Sequence, residues 1–416
     1  MGRAAAVTGA ATATARAKTS GQPENLPSQT VSHTEHVQEA APAFIGWLQP
    51  LVIWQPNSWH QPIGRPCYVP RGLPSGTVPH STQSRGDSAL DRRLLLAVLP
   101  TPLEPADRLG SALGMEPGAL WVKRDDVTGL GGGGNKVRKL EYLCADALAR
   151  GADVLVTGGG PQSNHVRITA AAANRLGLDC AVVLAGPRPA VATGNVLLVE
   201  VLGSEVTWLG GEGSLDHYAI EAAIHEVADR LGAAGRRPYR IPVGGASAVG
   251  ELGYIRAAAE LREQAAVLFG DVDLVVVADG SGGTHAGLAA GLGDLSLVLG
   301  VDVGARPDLD TQVPAKAAEA AALAGLPAPA GEVRVDHGHI GPGYGAPTED
   351  CRQAVLLAAR SEGLVLDPVY TGKALAGLVA ALRDGSVGPS TRTVFMHTGG
   401  MPALFAGPYA AWGRDG

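Results

Sequence analysis

Cysteine is scarce in this sequence, and long apolar runs are absent from it. The four cysteines, Cys67, Cys144, Cys180 and Cys351, lie far apart and form no C-x-x-C pair, so neither a disulfide framework nor a zinc site is predicted. No uninterrupted apolar run reaches about 18 residues, the length that a membrane-spanning helix needs. We therefore expect no metal, no membrane partner and a reducing, cytoplasmic location.

Charge of one sign does not accumulate anywhere in the chain. The formal net charge of the 416 residues is −7, and no block of like charges stands out, which argues against nucleic acid or an anionic membrane as the partner. Lysine is rare as well: it accounts for six of the 33 basic residues, and three of the six lie between Lys123 and Lys139. A lysine-dense stretch in a chain that otherwise uses arginine indicates that a lysine of this segment takes part in catalysis.

Residues 1–92 differ in kind from the rest of the chain. Pro, Gly, Ser, Thr and Gln dominate as far as Asp87, with little hydrophobic periodicity, and such a segment cannot bury enough apolar surface to offset its ordering entropy. We predict a disordered extension that lies outside the fold. Its start is rich in Ala, Thr and Arg and poor in acidic residues, so an organellar transit peptide remains an alternative, as does a start codon assigned too early.

From residue 93 onward, short runs rich in β-formers alternate with helical stretches. The predicted strands are 120–126, 153–158, 180–186, 205–210, 240–244, 273–279, 297–303 and 393–399, and the predicted helices are 162–176, 216–232, 249–265, 284–292, 313–324 and 348–362. Apolar strands that alternate with helices predict parallel sheets covered on both faces. We therefore predict an α/β fold with two open, twisted, mainly parallel sheets. The catalytic region would be 93–416, with a smaller domain, about 144–260, inserted into a larger one.

The first candidate site is a glycine loop. Ligands of open α/β sheets lie beyond the carboxyl ends of the strands, and "GGGGNK", from Gly131 to Lys136, is in such a place. It is not a nucleotide-binding P-loop, because Asn135 separates Gly134 from the lysine and Val137 replaces the metal-binding hydroxyl. The positive end of a helix lowers the pKa of a nearby ammonium and favours a nucleophilic amine. Lys136 is therefore a candidate nucleophile, although a solvated surface lysine would also explain this loop taken by itself.

The second loop, "GGGPQSNHVR" at 158–167, follows a strand and opens a helix. Ser163 and Asn164 offer a hydroxyl and an amide, and the free N–H groups of the first turn would face a carboxylate. Ordinary helix capping explains one polar residue but leaves Gln162, Asn164 and His165 without a reason. These four residues are therefore candidate substrate contacts.

The third loop, "ADGSGGTHAG" at 278–287, runs from a strand through a glycine turn into a helix. It is similar to the dinucleotide fingerprint, with Asp302 where a ribose-binding acid would lie, but His285 stands in place of the third glycine. Hydroxyls and backbone N–H groups at a helix N-terminus suit a single phosphate group better. The candidate phosphate contacts are Gly280, Ser281, Gly282, Gly283 and Thr284.

Late in the chain, "GPGYG" (341–345), "DPVYTGKA" (367–374) and "HTGG" (397–400) combine glycine with an aromatic or hydroxyl residue at element boundaries. They contribute Tyr344 and Tyr370, which core packing would explain equally well. A reactive lysine, a separate phosphate cradle and hydroxyl-bearing loops together describe pyridoxal 5′-phosphate better than a nucleotide. The aldehyde would condense with Lys136 and the phosphate would lie on 280–284.

From about Leu99 to Pro408 the chain resembles the fold-type II pyridoxal-phosphate enzymes, and within them the group that contains D-cysteine desulfhydrase and 1-aminocyclopropane-1-carboxylate deaminase. The motifs that carry the resemblance are "PTPLE" (100–104), "KRDD" (123–126), "GGNKVRKLEYL" (133–143), "QSNHVR" (162–167), "GSGGTHAG" (280–287), "GPGYG" (341–345), "DPVYTGKA" (367–374) and "HTGG" (397–400). Residues 1 to about 90 have no counterpart in it. The resemblance implies pyridoxal 5′-phosphate as the cofactor and a homodimer.

The resemblance also implies a role for each matching residue. Lys136 would bind the cofactor covalently and act as the base at Cα. Asn164 would hydrogen-bond the ring hydroxyl, and Ser163 would lie near the substrate carboxylate and the leaving group. Residues 281–284 would hold the phosphate, and Tyr344 and Tyr370 would be the two active-site tyrosines, one of them against the cofactor ring.

Two positions separate the activities in this group. The deaminases carry Glu after the tyrosine of "DPVY" and Leu after the histidine of the last motif, whereas Thr371 and Thr398 stand here, as in the desulfhydrases. A hydroxyl near the cofactor stabilises a less charged pyridine ring than a carboxylate does, and loss of thiolate needs less help than opening a cyclopropane. We therefore predict α,β-elimination on a small amino acid, D-cysteine first of all, to pyruvate, ammonia and hydrogen sulfide.

Several alternatives stay open at this point. His285 stands where glutamine is frequent and could contact a polar substrate group, so cysteate, which loses a sulfonate, is a candidate substrate, as is 1-aminocyclopropane-1-carboxylate. An oxidoreductase that binds NAD at 280–287 is a more distant alternative. A cofactor-bearing or degenerate binding protein without turnover is the non-enzymatic one.

Overall fold

The computed structural model describes residues 88–210, 216–407, 409 and 412. The predictions of disorder or a transit peptide before residue 88 concern residues outside this range. Residues 88–92, which the prediction assigned to the extension, contain a 3-10 turn at Ala89–Asp91. The Leu90 carbonyl accepts a hydrogen bond of 2.8 Å from the Tyr142 hydroxyl, so this segment packs on the fold.

Strands and helices alternate along the described chain. The strands are β1 (Leu103–Pro105), β2 (Leu120–Lys123), β3 (Val154–Gly159), β4 (Asp179–Ala185), β5 (Glu205–Leu209), β6 (Pro238–Arg240), β7 (Leu274–Asp279), β8 (Val298–Asp302), β9 (Arg334–Asp336) and β10 (Thr393–Met396). The helices are α1 (Asp107–Ala112), α2 (Lys136–Ala149), α3 (Asn164–Leu176), α4 (Gly194–Val201), α5 (His217–Ala233), α6 (Ala248–Leu268), α7 (Gly283–Leu292), α8 (Leu309–Ala324), α9 (Glu349–Glu362) and α10 (Thr371–Arg383).

The strands form two sheets. The larger sheet has the order β1-β2-β10-β7-β8-β9, and the smaller one has the order β5-β4-β3-β6. β1 pairs with β2 in the antiparallel sense, and the other pairings of the described strands are parallel. The predicted α/β class with two mainly parallel sheets is thus confirmed. The smaller sheet lies within the predicted inserted domain, whose bounds at 144 and 260 remain a prediction.

Both faces of each sheet are covered by helices, because the central strands are apolar on both faces. On β7, Val275 packs with residues of α6, α7 and α8, and the next residue, Val276, packs with residues of α9 and α10. On β4, Val182 faces α2 and α3, and Val183 faces α5. Successive side chains of a strand point to opposite faces, so a continuous apolar run is what a buried parallel strand requires.

The predicted strand at 240–244 is wrong. β6 ends at Arg240, and Val243–Gly245 form a 3-10 turn. Pro242 has no N–H for a strand ladder, and Gly244 has a φ of 69°, which a strand does not use. The other predicted strands and helices lie at or near their predicted positions. The helix α10 and the short elements β1, β9, α1 and α4 were not predicted.

The described part of the chain holds three of the cysteines, Cys144, Cys180 and Cys351, as buried free thiols. Burial raises the pKa of each to about 12, which makes these thiols poor nucleophiles. Among the described residues no group of three or more His, Cys, Asp or Glu side chains could hold a metal ion. No helix of that part combines the length and the hydropathy needed to cross a membrane.

A buried network of charges joins the end of β2 to α2 and α6. Arg138 donates to both carboxylate oxygens of Asp125, at 2.8 and 3.0 Å, and to both oxygens of Glu260, at 2.9 and 3.0 Å. Lys123 donates to Glu260 at 2.5 Å. Two cations therefore face two carboxylates. Because Arg138 lies two residues after Lys136, the network fixes the first turn of α2.

The glycine loop before α2 uses the conformational freedom of glycine at every position. Gly131, Gly132, Gly133 and Gly134 have φ values of 59°, 87°, 74° and 128°, in the range that other residues rarely adopt. Thr128 holds the last of them, because its Oγ1 accepts from the Gly134 N–H at 2.8 Å and donates to the Gly134 carbonyl at 2.9 Å. The loop is therefore fastened to the protein just before Lys136.

Gly133 and Gly132 offer a matched test of this loop. Alanine at either position takes a strained positive φ, but a Cβ at Gly133 would also overlap the Asp126 carbonyl oxygen, whereas no atom lies within 4 Å of a Cβ at Gly132. We expect Gly133→Ala to lower the free energy of unfolding by about 1–3 kcal/mol more than Gly132→Ala does. Urea unfolding of both variants measures the difference, and equal losses would contradict the close contact with Asp126.

Candidate active site

A pocket lies where the carboxyl ends of strands from both sheets meet. Its walls come from the loops that follow β3, β7 and β10, from the first turn of α2 and from the segment between β9 and α9. The residues that line it include Asn135, Lys136, Gly159, Gly160, Ser163, Asn164, His165, His217, Gly244, Asp279, Gly280, Ser281, Gly282, Thr284, Tyr344, Tyr370 and Thr398. Most of the predicted site residues, from four separate loops, are therefore brought together.

Lys136 is the first residue of α2 and projects into this pocket. Its Nζ donates to the Gly244 carbonyl at 3.4 Å, which is a long hydrogen bond. Burial, helped by the positive charge of Lys139 and opposed by Asp279, holds the pKa of the Lys136 amine well below 10.5. A lower pKa enlarges the fraction of neutral amine, the form that attacks an aldehyde or accepts a proton.

The N-terminus of α7 forms the opposite wall. Its N-cap residue, Gly282, has a φ of 78°, and no side chain caps the first turn within the described chain. Ser281 and Thr284 flank this end. The Asn135 amide donates to Thr284 Oγ1 at 3.0 Å, so the Thr284 hydroxyl keeps its own proton for a ligand. Uncapped N–H groups and two hydroxyls at a helix N-terminus suit a phosphate group.

Gly244 keeps the space between the amine and this helix end open. The residue has a φ of 69°, and a Cβ there would overlap Ser281 Oγ and lie 3.6 Å from Lys136 Nζ. Any other residue would therefore fill the place where a ligand could contact both side chains. The wall formed by Gly244 was not foreseen from the sequence, since its loop was predicted as a strand.

A hydrogen-bond network orients the Asn164 amide. Its Oδ1 accepts from Arg167 at 3.2 Å and from the Asn195 Nδ2 group at 2.9 Å, and Arg167 also donates to the Gly133 carbonyl at 2.6 Å. Because the oxygen is occupied, Asn164 presents its Nδ2 group as the donor toward a ligand. The neighbouring Ser163 caps α3 through its Oγ and likewise keeps its hydroxyl proton.

His165 is held as a neutral side chain. Its Nε2 lies 2.9 Å from Thr157 Oγ1, and the Thr157 hydroxyl donates to the Ile241 carbonyl at 2.9 Å. The threonine oxygen must therefore accept from Nε2–H, which leaves Nδ1 as a buried acceptor without a partner among the described residues. Burial, and then the charges of Lys136 and Lys139, hold the pKa of His165 well below 6.5.

Tyr344 and Tyr370 meet across the pocket. Their hydroxyls are hydrogen-bonded to each other, and their ring centroids lie 6.0 Å apart at an interplanar angle of 65°. Asp367 fixes the second tyrosine, because its carboxylate accepts the N–H of Tyr370 at 3.0 Å at the start of α10. Burial raises the pKa of Tyr344 to about 12 and that of Tyr370 well above 10. At neutral pH both phenols therefore carry their protons.

Three predicted site residues do not line this pocket. Gln162 uses its amide within the protein, accepting from the Asn195 N–H at 2.8 Å and donating to the Thr193 carbonyl at 3.2 Å, so the predicted substrate contact is not supported. Thr371 is buried and donates to Asp367 at 2.7 Å, so its predicted contact with the cofactor is not supported either. Gly283 begins α7 directly behind the pocket wall.

Neither of the two residues behind the cysteate and NAD alternatives lines the pocket. His285 is fully buried, with Nδ1 2.7 Å from Asp279 Oδ2, and does not line the pocket, so the expected contact with a polar substrate group is wrong. Asp302 accepts from the Gly304 N–H at 2.7 Å and pairs with His337 at 2.8 Å. It is not available as the ribose-binding acid of a dinucleotide site.

Other residues in or beside the pocket were missed from the sequence. Asp279 had a usable signal, because it is a charged residue that ends the apolar run of β7. Asn135 had a weaker one, as the residue between the glycines and the lysine. His217, at the start of α5, and Asn195, which orients Asn164, had none, because each reaches the site from a distant part of the chain.

Comparisons with known proteins give a consistent result. A family model described as "Pyridoxal-phosphate dependent enzyme" matches residues 94–399. The chain is 44% identical to a D-cysteine desulfhydrase of Salmonella paratyphi B over 325 residues, which are 76% of this chain and 95% of that protein. It is 45% identical to a D-cysteine desulfhydrase of Klebsiella pneumoniae over 326 residues, with 76% and 95% covered.

Solved structures agree with these relatives. An ACC deaminase homologue is 37% identical, with a TM-score of 0.67, and the match covers 77% of this chain and 97% of that one. The processed form of threonine deaminase isoform 2 from Solanum lycopersicum is 17% identical, with a TM-score of 0.54 and with 84% and 93% covered. At that identity the second likeness shows the fold alone.

The neutral state of His165 predicts a pH dependence of stability. The pKa of His165 in the folded protein lies well below 6.5, its ordinary value in an unfolded chain. Between these two pKa values the unfolded chain binds a proton that the folded protein does not, so stability falls as the pH falls. In urea unfolding from pH 8 to pH 5 we expect His165→Asn to lose less stability than the wild type below pH 6.5. The slopes of the free energy of unfolding against pH should differ between the two proteins by up to about 1.4 kcal/mol per pH unit.

The remaining histidines are common to both proteins and cancel in this comparison. His225→Asn, at an exposed position of α5 outside the pocket, is the control for the substitution itself. A His165→Asn slope equal to that of the wild type would show that the imidazole takes up a proton in the folded protein.

Proposed function

The chain belongs to the pyridoxal-phosphate dependent enzyme family and is a lyase of that family, and we propose that it converts D-cysteine and water into pyruvate, ammonia and hydrogen sulfide. The family membership and the ACC deaminase homologue confirm the predicted fold-type II architecture and the cofactor, pyridoxal 5′-phosphate. The observation that carries the choice of D-cysteine is the similarity to the two D-cysteine desulfhydrases over nearly their whole length.

Several features of the pocket fit this cofactor. The amine of Lys136 would take the aldehyde, and the uncapped N-terminus of α7, with Ser281 and Thr284, would take the phosphate. Gly244 leaves the space between them that a side chain would fill. Asn164 offers an N–H donor to the ring hydroxyl. Thr398 lines the same pocket and supports a further contact with the cofactor.

Each step of the elimination has a residue in a suitable protonation state. When bound, the cofactor supplies an electron sink for the pair released at Cα. The neutral Lys136 amine would accept the Cα proton, and Ser163 would hold the substrate carboxylate. As the Cβ–S bond breaks, sulfur keeps the bonding pair, and a neutral phenol of Tyr344 or Tyr370 would supply the proton with which hydrogen sulfide leaves. Water converts the remaining aminoacrylate into pyruvate and ammonia.

The charges of the pocket favour cysteine over cysteate. Lys136 is the one lysine or arginine among the described residues that line the pocket, and burial lowers the pKa of both lining histidines, His165 and His217. Cysteine brings one carboxylate, whereas cysteate brings a carboxylate and a sulfonate. A second buried anion without a cation is costly, so this pocket suits the substrate with the neutral thiol.

Two further alternatives have less support. The ACC deaminase homologue keeps deamination of 1-aminocyclopropane-1-carboxylate as the second candidate function, but Thr371 and Thr398 stand where the resemblance gives the deaminases Glu and Leu. NAD binding at 280–287 lacks its ribose contact, because Asp302 is hydrogen-bonded to Gly304 and His337.

We also propose that the protein is a homodimer and acts in the cytoplasm. The homodimer is an expectation from the family resemblance. The cytoplasmic location is supported by the three buried free thiols of the described chain, since disulfides persist in oxidising compartments. Sedimentation of the holoenzyme would give twice the mass of the chain if the first part of this proposal is right.

Covalent attachment of the cofactor tests the role of Lys136. We expect borohydride reduction of the yellow holoenzyme to abolish its visible absorption and to place the label on the peptide that contains Lys136, because the neutral amine is the group that condenses with the aldehyde. Lys136→Ala should bind no cofactor covalently. Lys316→Ala, outside the pocket lining, is the control and should retain the label. A labelled Lys136→Ala protein would overturn the assignment.

A substrate panel tests the reaction itself. D-cysteine, L-cysteine, cysteate, chloroalanine and 1-aminocyclopropane-1-carboxylate are each incubated with holoenzyme, and oxo acid, ammonia and sulfide are measured. We expect equal amounts of pyruvate, ammonia and sulfide from D-cysteine, and at least a tenfold lower kcat/KM for cysteate. Oxo acid from 1-aminocyclopropane-1-carboxylate without sulfide from D-cysteine would favour the deaminase instead.

A further inference from the structure

The segment that carries Tyr344 has no regular structure of its own. Residues 337–348, between β9 and α9, form neither a strand nor a helix. Tyr344 is the second residue of a four-residue turn, which the Ala346 N–H closes on the Gly343 carbonyl at 3.2 Å. Glycine lies on both sides of the tyrosine, and glycine restricts the backbone least. The turn by itself therefore cannot place the phenol in the pocket of the candidate active site, which we call the reaction pocket.

Lys373, in the first turn of α10, holds this segment from another element. Its side chain is fully buried, and its Nζ donates to the Ile340 carbonyl at 2.7 Å and to the Gly343 carbonyl at 3.3 Å. The Gly343 carbonyl lies in the same rigid peptide plane as the Tyr344 nitrogen. A hydrogen bond that fixes the direction of this carbonyl therefore also fixes the point from which the tyrosine projects.

The ammonium of Lys373 is buried without a paired anion. Among the described residues both of its hydrogen-bond acceptors are main-chain carbonyls of one segment, and no carboxylate is hydrogen-bonded to it. Burial of an ammonium in such surroundings is unfavourable, and burial lowers the pKa of this amine. An apolar side chain would therefore cost less at this position of α10, so the lysine is explained by the segment that it holds.

Two other contacts hold the segment, one on each side of this one. His337, at the start of the segment, pairs with two carboxylates. After the tyrosine, the Tyr409 hydroxyl donates to the Gly345 carbonyl. Of these three contacts, that of Lys373 alone joins the segment to α10.

The same end of α10 carries the second tyrosine of the reaction pocket. Tyr370 is the N-cap residue of this helix and lies three residues before Lys373, and residues three apart on a helix are neighbours on its surface. One helix end therefore carries Tyr370 directly and holds the turn of Tyr344 through the ammonium. The two phenol hydroxyls, which are hydrogen-bonded to each other, stay together because a single rigid element positions both.

We propose that Lys373 is a positioning residue for Tyr344 and that it affects the elimination only through the placement of that phenol. The proposal rests on the proposed function, in which a tyrosine supplies the proton with which hydrogen sulfide leaves. Loss of the ammonium frees the turn, so the phenol spends less time within reach of the leaving sulfur. Binding of the cofactor, at Lys136 and the N-terminus of α7, does not depend on this contact.

A double-mutant cycle on the holoenzyme tests the dependence on Tyr344. Pyruvate and sulfide from D-cysteine are measured for the wild type, Lys373→Met, Tyr344→Phe and the variant with both substitutions; methionine keeps the length of the side chain and removes the ammonium. We expect Lys373→Met to lower kcat about ten- to a hundredfold and to change KM less than about threefold. In the Tyr344→Phe background the same substitution should lower kcat less than about twofold. An unchanged kcat in Lys373→Met, or equal losses in both backgrounds, would overturn the proposal.

Amide hydrogen exchange of the resting holoenzyme gives a second measurement, which does not depend on turnover. We expect Lys373→Met to speed the exchange of residues 340–346 about three- to tenfold, with the exchange of α10 and the visible absorption of the cofactor unchanged. Lys316→Met is the matched control, because it removes the hydrogen bond of another lysine to a main-chain carbonyl, that of Ala246 at 3.2 Å. It should keep the wild-type exchange of residues 340–346.

The outcomes separate this proposal from the proposed function. Wild-type exchange of residues 340–346 in Lys373→Met would show that the ammonium does not hold the turn, and faster exchange throughout α10 would show a structural role alone; either result overturns the positioning role. If the wild type forms no sulfide from D-cysteine, the proposed function fails, while the exchange of residues 340–346 still decides whether Lys373 holds the turn of Tyr344.

Discussion

The position of the first turn of α2 determines the rest of the site, and a balanced set of buried charges fixes that turn. Arg138 is hydrogen-bonded to both Asp125 and Glu260, and removal of one partner from such a network leaves an uncompensated buried charge, which costs several kcal/mol. The helix therefore cannot shift or rotate without exposing the network. Two residues earlier, Lys136 has only a long hydrogen bond to a carbonyl. The well-paired guanidinium of Arg138 thus holds the poorly paired, reactive amine of Lys136 in place.

Glycine supplies the second constraint, because the walls around the amine are built largely of backbone. Gly133 and Gly134 let the loop before α2 lie against neighbouring carbonyls, and Gly244 leaves the space beside Ser281 and Lys136 that a side chain would occupy. Where side chains are absent, main-chain N–H and carbonyl groups come within reach of a ligand. The uncapped N-terminus of α7 then presents its dipole to the same space.

Hydrogen bonding determines which polar groups at the pocket can contact a ligand. In the reaction pocket, Asn164 and Thr284 each have one hydrogen-bonding function occupied and one left for a ligand. Outside the pocket lining, the amide of Gln162 is satisfied at both ends. A group with a free donor binds polar ligands, and a satisfied group behaves as part of an apolar wall.

By itself the sequence determined the elements and the set of candidate groups, because both depend on local patterns. Apolar strands that alternate with helices specified parallel sheets, and glycines before a lysine or a helix specified the loops that carry Lys136 and Ser281. The tertiary structure alone decided which of the candidates are available. Gln162 and Thr371 carry suitable functional groups, yet their neighbours in the fold occupy them. His285 is fully buried beside Asp279 and does not line the pocket. Hydrogen-bond satisfaction and burial are set by partners that can be distant in the chain, and no local pattern contains them.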